Sequence, residues 1–257
     1  MAITNTIESL AFKARPHNIP SGELEPVTFQ VVLLGGDGVV IASDTRAMNF
    51  DPQHFVRTTD TVSKIVVVEP HLVYIYAGDG CAKKVGAAVA LDVKRGQPLS
   101  KERIEEVSNS TREEYWKSRQ MDDRVDSRKI AWVQRADRGF AIWSATGRSR
   151  EMNFEVTKHE ENHDGKCRIF AGDEFNQARY IVEHYYDKYP LRNISGLKRL
   201  AAQTILTGEL FNNAGVGGLE MVVGTCSGFA RIPAREIQEL AELSRTLQNE
   251  IDVHFKD

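Results

Sequence analysis

The chain has 257 residues, a formal net charge of −3, 41 % hydrophobic residues and 27 % charged residues, an ordinary composition for a globular protein. The small net charge and the scattered basic residues argue against nucleic acid as a partner. No apolar run approaches the ~20 residues that a membrane span needs. The three cysteines are too few for a disulfide framework, and the first residues lack the pattern of a secretory signal. We therefore predict a cytoplasmic protein of a prokaryotic type that binds neither nucleic acid nor membrane.

The sequence changes character at residue 28. Residues 1–27 contain a short amphipathic piece followed by a stretch punctuated with proline and glycine, and we predict that they form an extension or propeptide. Residues 28–257 show no further boundary and are predicted to form one domain. Its first strands are expected in two hairpins separated by a polar loop at 49–61. These strands are predicted at Thr28–Leu34, Val39–Ser43, Lys64–Val68 and Leu72–Ala77.

Helices and strands alternate in groups after the second hairpin. A helix at 81–94 follows Gly78-Asp79-Gly80, with Asp79 as its expected cap, and Ser100 is the expected N-cap of a second helix. Further strands are predicted at 130–133, 139–143, 152–156, 167–171 and 219–223, and further helices at 174–186, 195–211 and about 234–251. Strands grouped in hairpins and helices grouped in pairs indicate antiparallel sheets covered by helical layers, an α+β fold.

The ends of the predicted hairpins carry residues suited to nucleophilic catalysis. Thr28 begins the first strand and Asp44 follows its partner, while Lys64 begins the next strand and Gly78 follows the one after it. A threonine hydroxyl needs a base, and a free α-amine on the same residue, with a pKa of ~7.7–8.0, serves once the threonine is the N-terminus. A lysine held by an aspartate would help the hydroxyl lose its proton, and an N–H beside a glycine would bind an oxyanion.

The stretch from Thr28 to Ala47 resembles the start of proteasome β subunits, T-T-x-V-G-x-x-x-x-D-G-V-V-x-A-x-D-x-R-A. The matching positions are Thr28, Asp37–Val40, Ala42, Asp44 and Arg46–Ala47. Lys64-Ile65 matches the family's catalytic lysine and the residue after it, beyond a longer loop, and the match continues without a gap to Gly78. The chain is therefore identified as a divergent bacterial-type member of the proteasome β-subunit-like family of N-terminal-nucleophile (Ntn) hydrolases, with the resemblance extending to about Val223.

This resemblance implies a fold, a set of site residues and partners. The fold would be a four-layer αββα sandwich assembled into a homo-oligomeric ring. The nucleophile, the activating charge pair and the oxyanion donor would be Thr28, Asp44 with Lys64, and the Gly78 N–H. The substrate pocket would be lined by Ala47, Tyr76 and Gly80, with the tyrosine narrowing it in favour of small or apolar side chains. The substrate would be a peptide or protein, an ATP-dependent unfoldase is a possible partner by analogy, and no cofactor is needed.

Three differences from the family pattern support an alternative function. Val27 precedes Thr28 where family precursors usually have glycine. Asp173 replaces a serine that helps to hold the threonine amine, and Asn212–Val216 lacks two polar partners found in the family. In the alternative, the chain is a non-catalytic ring subunit or binding protein that retains its extension, and Thr28, Asp44 and Lys64 have structural roles.

The segment His159–His163 is a literal H-E-x-x-H motif. In zinc peptidases this motif requires a helix, so that both histidines share one face. Here Phe154–Thr157 reads as a strand and Asp164-Gly165 as a turn. We predict a polar hairpin loop without a metal ion.

Overall fold

The computed structural model describes eight segments, and the N-terminal residues 1–27 lie outside them. These segments are 28–50, 56–59, 61–117, 128–148, 153–172, 176–190, 193–212 and 215–254. The elements in chain order are β1 (Phe29–Leu34), β2 (Val39–Ser43), β3 (Ala47–Phe50), β4 (Val56–Thr59), β5 (Ile65–Glu69), β6 (Leu72–Ala77), α1 (Gly80–Lys94), α2 (Lys101–Lys117), β7 (Arg128–Arg135), β8 (Phe140–Gly147), β9 (Glu155–His159), β10 (Arg168–Gly172), α3 (Arg179–Tyr185), α4 (Ile194–Phe211), β11 (Glu220–Thr225), β12 (Gly228–Arg231) and α5 (Ala234–His254).

Two five-stranded antiparallel sheets stack face to face between helical layers. The first sheet has the order β10-β1-β2-β11-β12 and the second the order β5-β6-β7-β8-β9. Successive side chains of a strand point to opposite faces, so Val32 and Leu34 of β1 pack between the sheets while Val31 and Leu33 pack under α3 and α4. Helices α1 and α2 cover the outer face of the second sheet. The predicted four-layer αββα sandwich is therefore confirmed.

Strand β1 lies inside the first sheet, with a partner on each side. Phe29 pairs with Gly172 of β10, and Gln30 pairs with Ser43 of β2. Ser43 also pairs with Glu220 at the start of β11. Four strand termini therefore meet at one end of the sheet, where ladder hydrogen bonds fix their positions. They are the start of β1, the end of β2, the end of β10 and the start of β11.

Several predicted element boundaries change in the structure. Val39–Ser43 and Leu72–Ala77 agree at both ends, but the predicted polar loop at 49–61 contains part of β3 and all of β4, which pair only with each other. Strand β12 was not predicted. The helix predicted at 174–186 is shorter in the structure, Arg179–Tyr185. Residues 176–178 are described and are not helical, and 173–175 lie outside the described segments. Strands β3 and β4 have four residues each and lack the alternation of apolar and polar residues that identifies a half-buried strand.

The apolar stripe of α5 divides into a packed part and an exposed part. Leu240 belongs to the core under the first sheet, whereas Leu243, Leu247 and Ile251 are 49 %, 46 % and 41 % exposed. The N-terminal half of α5 therefore anchors the helix, and its C-terminal half presents apolar side chains to the outside of the protomer. Within the described segments, none of the helices combines the length and apolar composition of a membrane span.

Candidate active site

Asp44 and Lys64 form a buried ion pair that joins the two sheets. Asp44 follows β2 in the first sheet and Lys64 precedes β5 in the second. The Lys64 Nζ donates to Asp44 Oδ2 at 2.7 Å, and the two side chains are 6 % and 0 % exposed, respectively. The structure thus brings together the two charged residues that the sequence singled out.

The same carboxylate fixes the residue next to Thr28. Phe29 N donates to Asp44 Oδ1 at 2.8 Å, and Arg46 N donates to Asp44 Oδ2 at 3.2 Å. In return, Asp44 N donates to the Phe29 carbonyl at 3.1 Å. Thr28 is 5 % exposed. The alternation of β1, continued one residue before the strand, directs its side chain towards the second sheet, which is the side that contributes Lys64.

Burial perturbs both partners of the ion pair. Desolvation raises the pKa of the Asp44 carboxyl from 3.8 to about 6, outweighing the attraction of Lys64 and the hydrogen bonds from Lys64, Phe29 and Arg46. Desolvation also lowers the pKa of the Lys64 ammonium, against the opposing effect of Asp44. The pKa values of the two groups are therefore closer together than those of an exposed carboxyl and an exposed ammonium group. Such perturbed, buried ionisable groups are concentrated at functional sites.

Gly172 packs directly against Thr28. It ends β10 with φ at +95°, and a Cβ at this position would overlap the Thr28 carbonyl. Only glycine gives both this backbone conformation and this close approach. In the sequence this stretch stands out for Asp173, which lies outside the described segments, and not for Gly172. A glycine at the end of an apolar strand was the available signal.

Gly78 lies at the same end of the second sheet as Lys64. It follows β6 with φ at +112°. Strands β5 and β6 pair with Ile65 opposite Ile75, so continuing this register places Tyr76 opposite Lys64 and Gly78 two residues further along. The predicted oxyanion donor is therefore near the charged pair in the fold.

The three predicted pocket residues have different surroundings. Tyr76 is 8 % exposed, packs in the core between the second sheet and α1, and donates through its hydroxyl to the Ser63 carbonyl at 3.3 Å. Gly80 is exposed at the first position of α1, where a Cβ would lie 2.9 Å from the Tyr115 hydroxyl. Ala47 is half-buried at the start of β3. The Tyr76 hydroxyl is thus hydrogen-bonded to the backbone of Ser63, the residue before Lys64.

Arg46, matched in the sequence without a role of its own, anchors the connection between β2 and β3. Its N–H donates to the Gly217 carbonyl at 3.0 Å, its Nη1 donates to the Val216 carbonyl at 2.9 Å, and its Nη2 pairs with Glu209 at 3.2 Å. A Cβ at Gly217 would overlap the guanidinium group. The Arg46 side chain therefore holds the backbone that follows Asp44 against the loop before β11.

The H-E-x-x-H segment does not adopt the geometry of a zinc peptidase. His159 ends β9, with Nε2 2.8 Å from the Ser144 Oγ, while His163 is 88 % exposed in the following loop, beside Asp164. The predicted polar loop is correct, but the predicted hairpin is wrong, because β9 belongs to the second sheet and β10 to the first. The described segments contain no group of three or more histidine, cysteine or acidic side chains placed to hold a metal ion.

An open groove of about 700 Å³ lies at the opposite end of the sandwich. The end of β1, the Gly35–Gly38 turn, Arg135 and Glu161 line it. Thr28 is at the other end of β1, so this groove does not belong to the ion-pair site. We assign the candidate active site from the side-chain chemistry rather than from the size of this groove.

Comparison with known proteins supports the fold and corrects the family assignment. No protein-family model matches the sequence, and no curated protein matches it. A Gly-1 mutant of Anbu from Hyphomicrobium sp. strain MC1 has a similar structure, with a TM-score of 0.60 and 14 % identity over 90 % of this chain and 100 % of that one. Anbu from Yersinia bercovieri, described as an ancestral β-subunit, gives 0.61 and 14 % over 89 % and 97 %, respectively. The predicted membership of the proteasome β-subunit-like Ntn hydrolase family is therefore wrong: what this chain shares with known structures is the sandwich fold of the Anbu proteins.

Proposed function

We propose that the chain is a threonine-dependent peptidase that hydrolyses amide bonds through Thr28 after removal of residues 1–27. The Asp44 carboxylate carries this proposal, because it binds Lys64 Nζ and the backbone N–H of Phe29 at the same time. That arrangement ties a buried cation to the residue adjoining a potential N-terminal nucleophile. The domain division at residue 28 is part of the same proposal.

The reaction would proceed in two stages. In the first, the Thr28 Oγ attacks the substrate carbonyl as its proton passes to the freed α-amine of the same residue. The resulting oxyanion is stabilised by the Gly78 N–H. The intermediate collapses to an ester on Oγ, and the leaving amine takes up the proton. In the second stage, the α-amine accepts a proton from water, which attacks the ester and releases the acid and the free hydroxyl.

Lys64 and Asp44 would act on the hydroxyl electrostatically. A cation beside Oγ stabilises the developing alkoxide, and the carboxylate keeps the buried lysine charged although desolvation lowers the pKa of that lysine. In a site with little water these interactions are stronger than they would be at the surface. The pocket residues Ala47, Tyr76 and Gly80 would receive the side chain before the cleaved bond.

Assembly and substrate delivery are extensions of this proposal. The similarity to an Anbu described as an ancestral β-subunit and the exposed apolar half of α5 support a homo-oligomeric ring. A ring with interior sites would admit peptides or unfolded protein, and an ATP-dependent unfoldase would supply the latter.

The direct test uses a chain that begins at Thr28, released from an N-terminal fusion without an extra residue. We expect it to hydrolyse fluorogenic peptide amides and to form a covalent adduct with a peptide epoxyketone, seen as a mass increase. The Thr28→Ala chain, prepared in the same way, should do neither. A folded Thr28 chain that is inert to both reagents would refute the enzymatic function.

The alternative is a non-catalytic ring subunit or binding protein that retains its extension. The low exposure of Thr28 in the full chain and the branched Val27 before it favour this candidate. The intact mass of purified full-length protein separates the two. Loss of residues 1–27 in the native chain, with retention in Thr28→Ala, supports self-processing. Retention in both, together with an inert Thr28 chain, supports the alternative.

A further inference from the structure

A second carboxylate, from Glu220, binds the segment that carries Lys64. Glu220 is the first residue of β11, and its side chain is 11 % exposed. Its Oε1 accepts hydrogen bonds from Lys64 N and from Ile65 N, the latter at 3.0 Å. Its Oε2 accepts from Ser63 Oγ at 2.8 Å. One side chain of the first sheet thus contacts three consecutive residues at the start of β5 in the second sheet.

Arg231 completes this contact from the neighbouring strand. It lies on β12, which pairs with β11, and its Nη1 donates to Glu220 Oε2 at 2.8 Å. Its Nη2 donates to Ser63 Oγ at 2.9 Å and to the Ile65 carbonyl. The carboxylate and the guanidinium therefore bind both each other and the backbone on either side of Lys64.

The position of β5 explains why this contact matters. Strand β5 is at the edge of the second sheet, and an edge strand has N–H and C=O groups without a strand partner on one side. Glu220 accepts from two consecutive backbone N–H groups there, and hydrogen bonds to a charged acceptor are stronger than those between neutral groups. The backbone from which the Lys64 side chain extends is therefore fixed by the first sheet as well as by β6.

We propose that Glu220 is a positioning residue for Lys64 and that Arg231 holds it in place; this inference rests on the proposed catalytic function of Lys64. Glu220 fixes the backbone of Lys64, whereas Asp44 fixes its ammonium group. With both ends held, the Nζ stays at a defined place beside the start of β1. No substrate contact is assigned to Glu220.

The charge of Glu220 also acts on Lys64. Burial lowers the pKa of Lys64, and Arg46 lowers it further, while the negative charges of Asp44 and Glu220 raise it. The ionisable groups that face this lysine from the surrounding elements are Asp44 and Arg46 after β2, Tyr76 of β6, Glu220 of β11 and Arg231 of β12. Glu220→Gln keeps an oxygen that can accept the backbone hydrogen bonds and removes the charge, so the Lys64 titration in this variant measures how strongly the Glu220 charge acts on the ammonium group.

The first experiment measures Lys64 in the full-length chain and does not depend on activity. Protein labelled with ¹³C at the lysine Cε is titrated by NMR, and Lys64→Arg identifies the signal. In Glu220→Gln, which keeps the shape and removes the charge, we expect a lower titration midpoint for Lys64. Glu236→Gln, which removes a carboxylate paired with Lys198 far from the site, should leave the midpoint unchanged. An unchanged midpoint in folded Glu220→Gln overturns the inference.

The second experiment uses the chain that begins at Thr28. There Glu220→Gln should lower kcat by roughly 10²-fold, the loss expected for a misplacement of about 1 Å, with little change in KM. The alkaline limb of its pH–kcat profile should move to lower pH together with the Lys64 midpoint, because the proposed reaction needs Lys64 charged. Native kinetics in this variant overturn the inference. An inert parent chain instead refutes the proposed function, whereas the NMR result still decides whether Glu220 controls Lys64.

Glu220→Asp is the second variant if Glu220→Gln does not fold. It keeps the charge but shortens the side chain, so the carboxylate no longer reaches both backbone N–H groups. We expect kcat to fall. The Lys64 midpoint should stay near its native value, because the negative charge on β11 is retained. A native kcat in Glu220→Asp contradicts the positioning role.

Discussion

At the scale of single residues, the buried pair Asp44–Lys64 is the most informative feature of the molecule. Taking two charges out of water costs several kcal/mol per ion, so a buried ion pair is weak evidence for stability. The raised pKa of Asp44 shows this cost directly, because three hydrogen-bond donors do not offset the desolvation. A pair that is kept in the interior at such a cost favours a role in chemistry over a role in holding the sheets together.

The first prediction concerns stability as a function of pH. The folded-state pKa of Asp44, about 6, lies above the ordinary 3.8, so the folded protein holds this proton more tightly than the unfolded chain does. The carboxyl therefore adds stability below pH ~4, and about 3 kcal/mol of it is lost as the pH rises through ~6. We expect this loss in urea unfolding of the full chain, measured relative to the double variant Asp44→Asn/Lys64→Met. If the difference in the free energy of unfolding between the full chain and the double variant stays constant from pH 4 to 7, the raised pKa of Asp44 is contradicted.

The second prediction concerns Gly172. In Gly172→Ala the strained positive φ costs about 1–2 kcal/mol, and the overlap with the Thr28 carbonyl adds to it. Gly96→Ala is the matched control, since Gly96 has φ at +86° with nothing within 4 Å of the added Cβ. We expect urea unfolding to show a clearly larger loss for Gly172→Ala. Equal losses would show that the close approach at Thr28 is of no consequence.

At the scale of the elements, helix α1 links the candidate oxyanion donor to the second sheet. Asp79 caps the helix, accepting from Cys81 N at 2.9 Å and Ala82 N at 3.2 Å, which confirms the capping role expected from the sequence. The same carboxylate pairs with Arg128 of β7, which is 1 % exposed on its side chain. The residue after Gly78 is thus held to the helix and to the sheet together.

The third prediction follows from these two roles of Asp79. Asp79→Ala should lose about 1 kcal/mol with the cap and more with the Arg128 pair. Asp79→Asn keeps an oxygen that accepts from the helix N–H groups and should lose only the ion-pair part. Urea unfolding should rank the native chain first, Asp79→Asn second and Asp79→Ala last. An asparagine variant no better than alanine would mean that the cap contributes nothing.

How far the elements could be predicted depended on how local their signals were. The hairpin β1–β2 was readable because two apolar runs flank Gly35–Gly38, and β6 because its six residues, L-V-Y-I-Y-A, are all apolar or aromatic. The ribbon β3–β4 and strand β12 gave no such pattern. Strand β7 was predicted too short because it begins with Arg128 and Lys129, and Arg128 is buried through a tertiary partner, Asp79, that periodicity does not reveal.

The same limit applies to the candidate site. Asp44 and Lys64 were identified because each borders an apolar run and matches a charged position in the proteasome β-subunit pattern. In the sequence, Glu220 is an ordinary polar residue near the start of a predicted strand, and Gly172 is an ordinary glycine after one. Their importance comes from the register of β11 on β2 and of β10 on β1, which brings the start of β11 and the end of β10 to the end of the first sheet where Asp44 lies. That register is not encoded in any short stretch.

At the scale of the whole molecule, the exposed half of α5 is the feature most relevant to assembly. Three large apolar side chains, spaced four residues apart, lie on one side of this helix. Contiguous exposed apolar side chains of this kind commonly mark a protein–protein interaction site. This observation supports self-association through the C-terminal half of α5.

The fourth prediction tests self-association. We expect light scattering of the native chain to give a mass several times the 28.9 kDa of one protomer. Leu247→Glu places a charge within the apolar stripe and should reduce that mass. Gln238→Glu adds the same charge to the opposite side of α5 and should not. A native mass of one protomer would contradict the proposed ring.

The pairing of β1 has a consequence for the proposed removal of residues 1–27. Its ladder contacts start at Phe29 on one side and Gln30 on the other, so a cut before Thr28 severs none of them. The hydrogen bonds that join β1 to β2 and β10 are therefore the same before and after the proposed cut, and these pairings set no order between folding and cleavage.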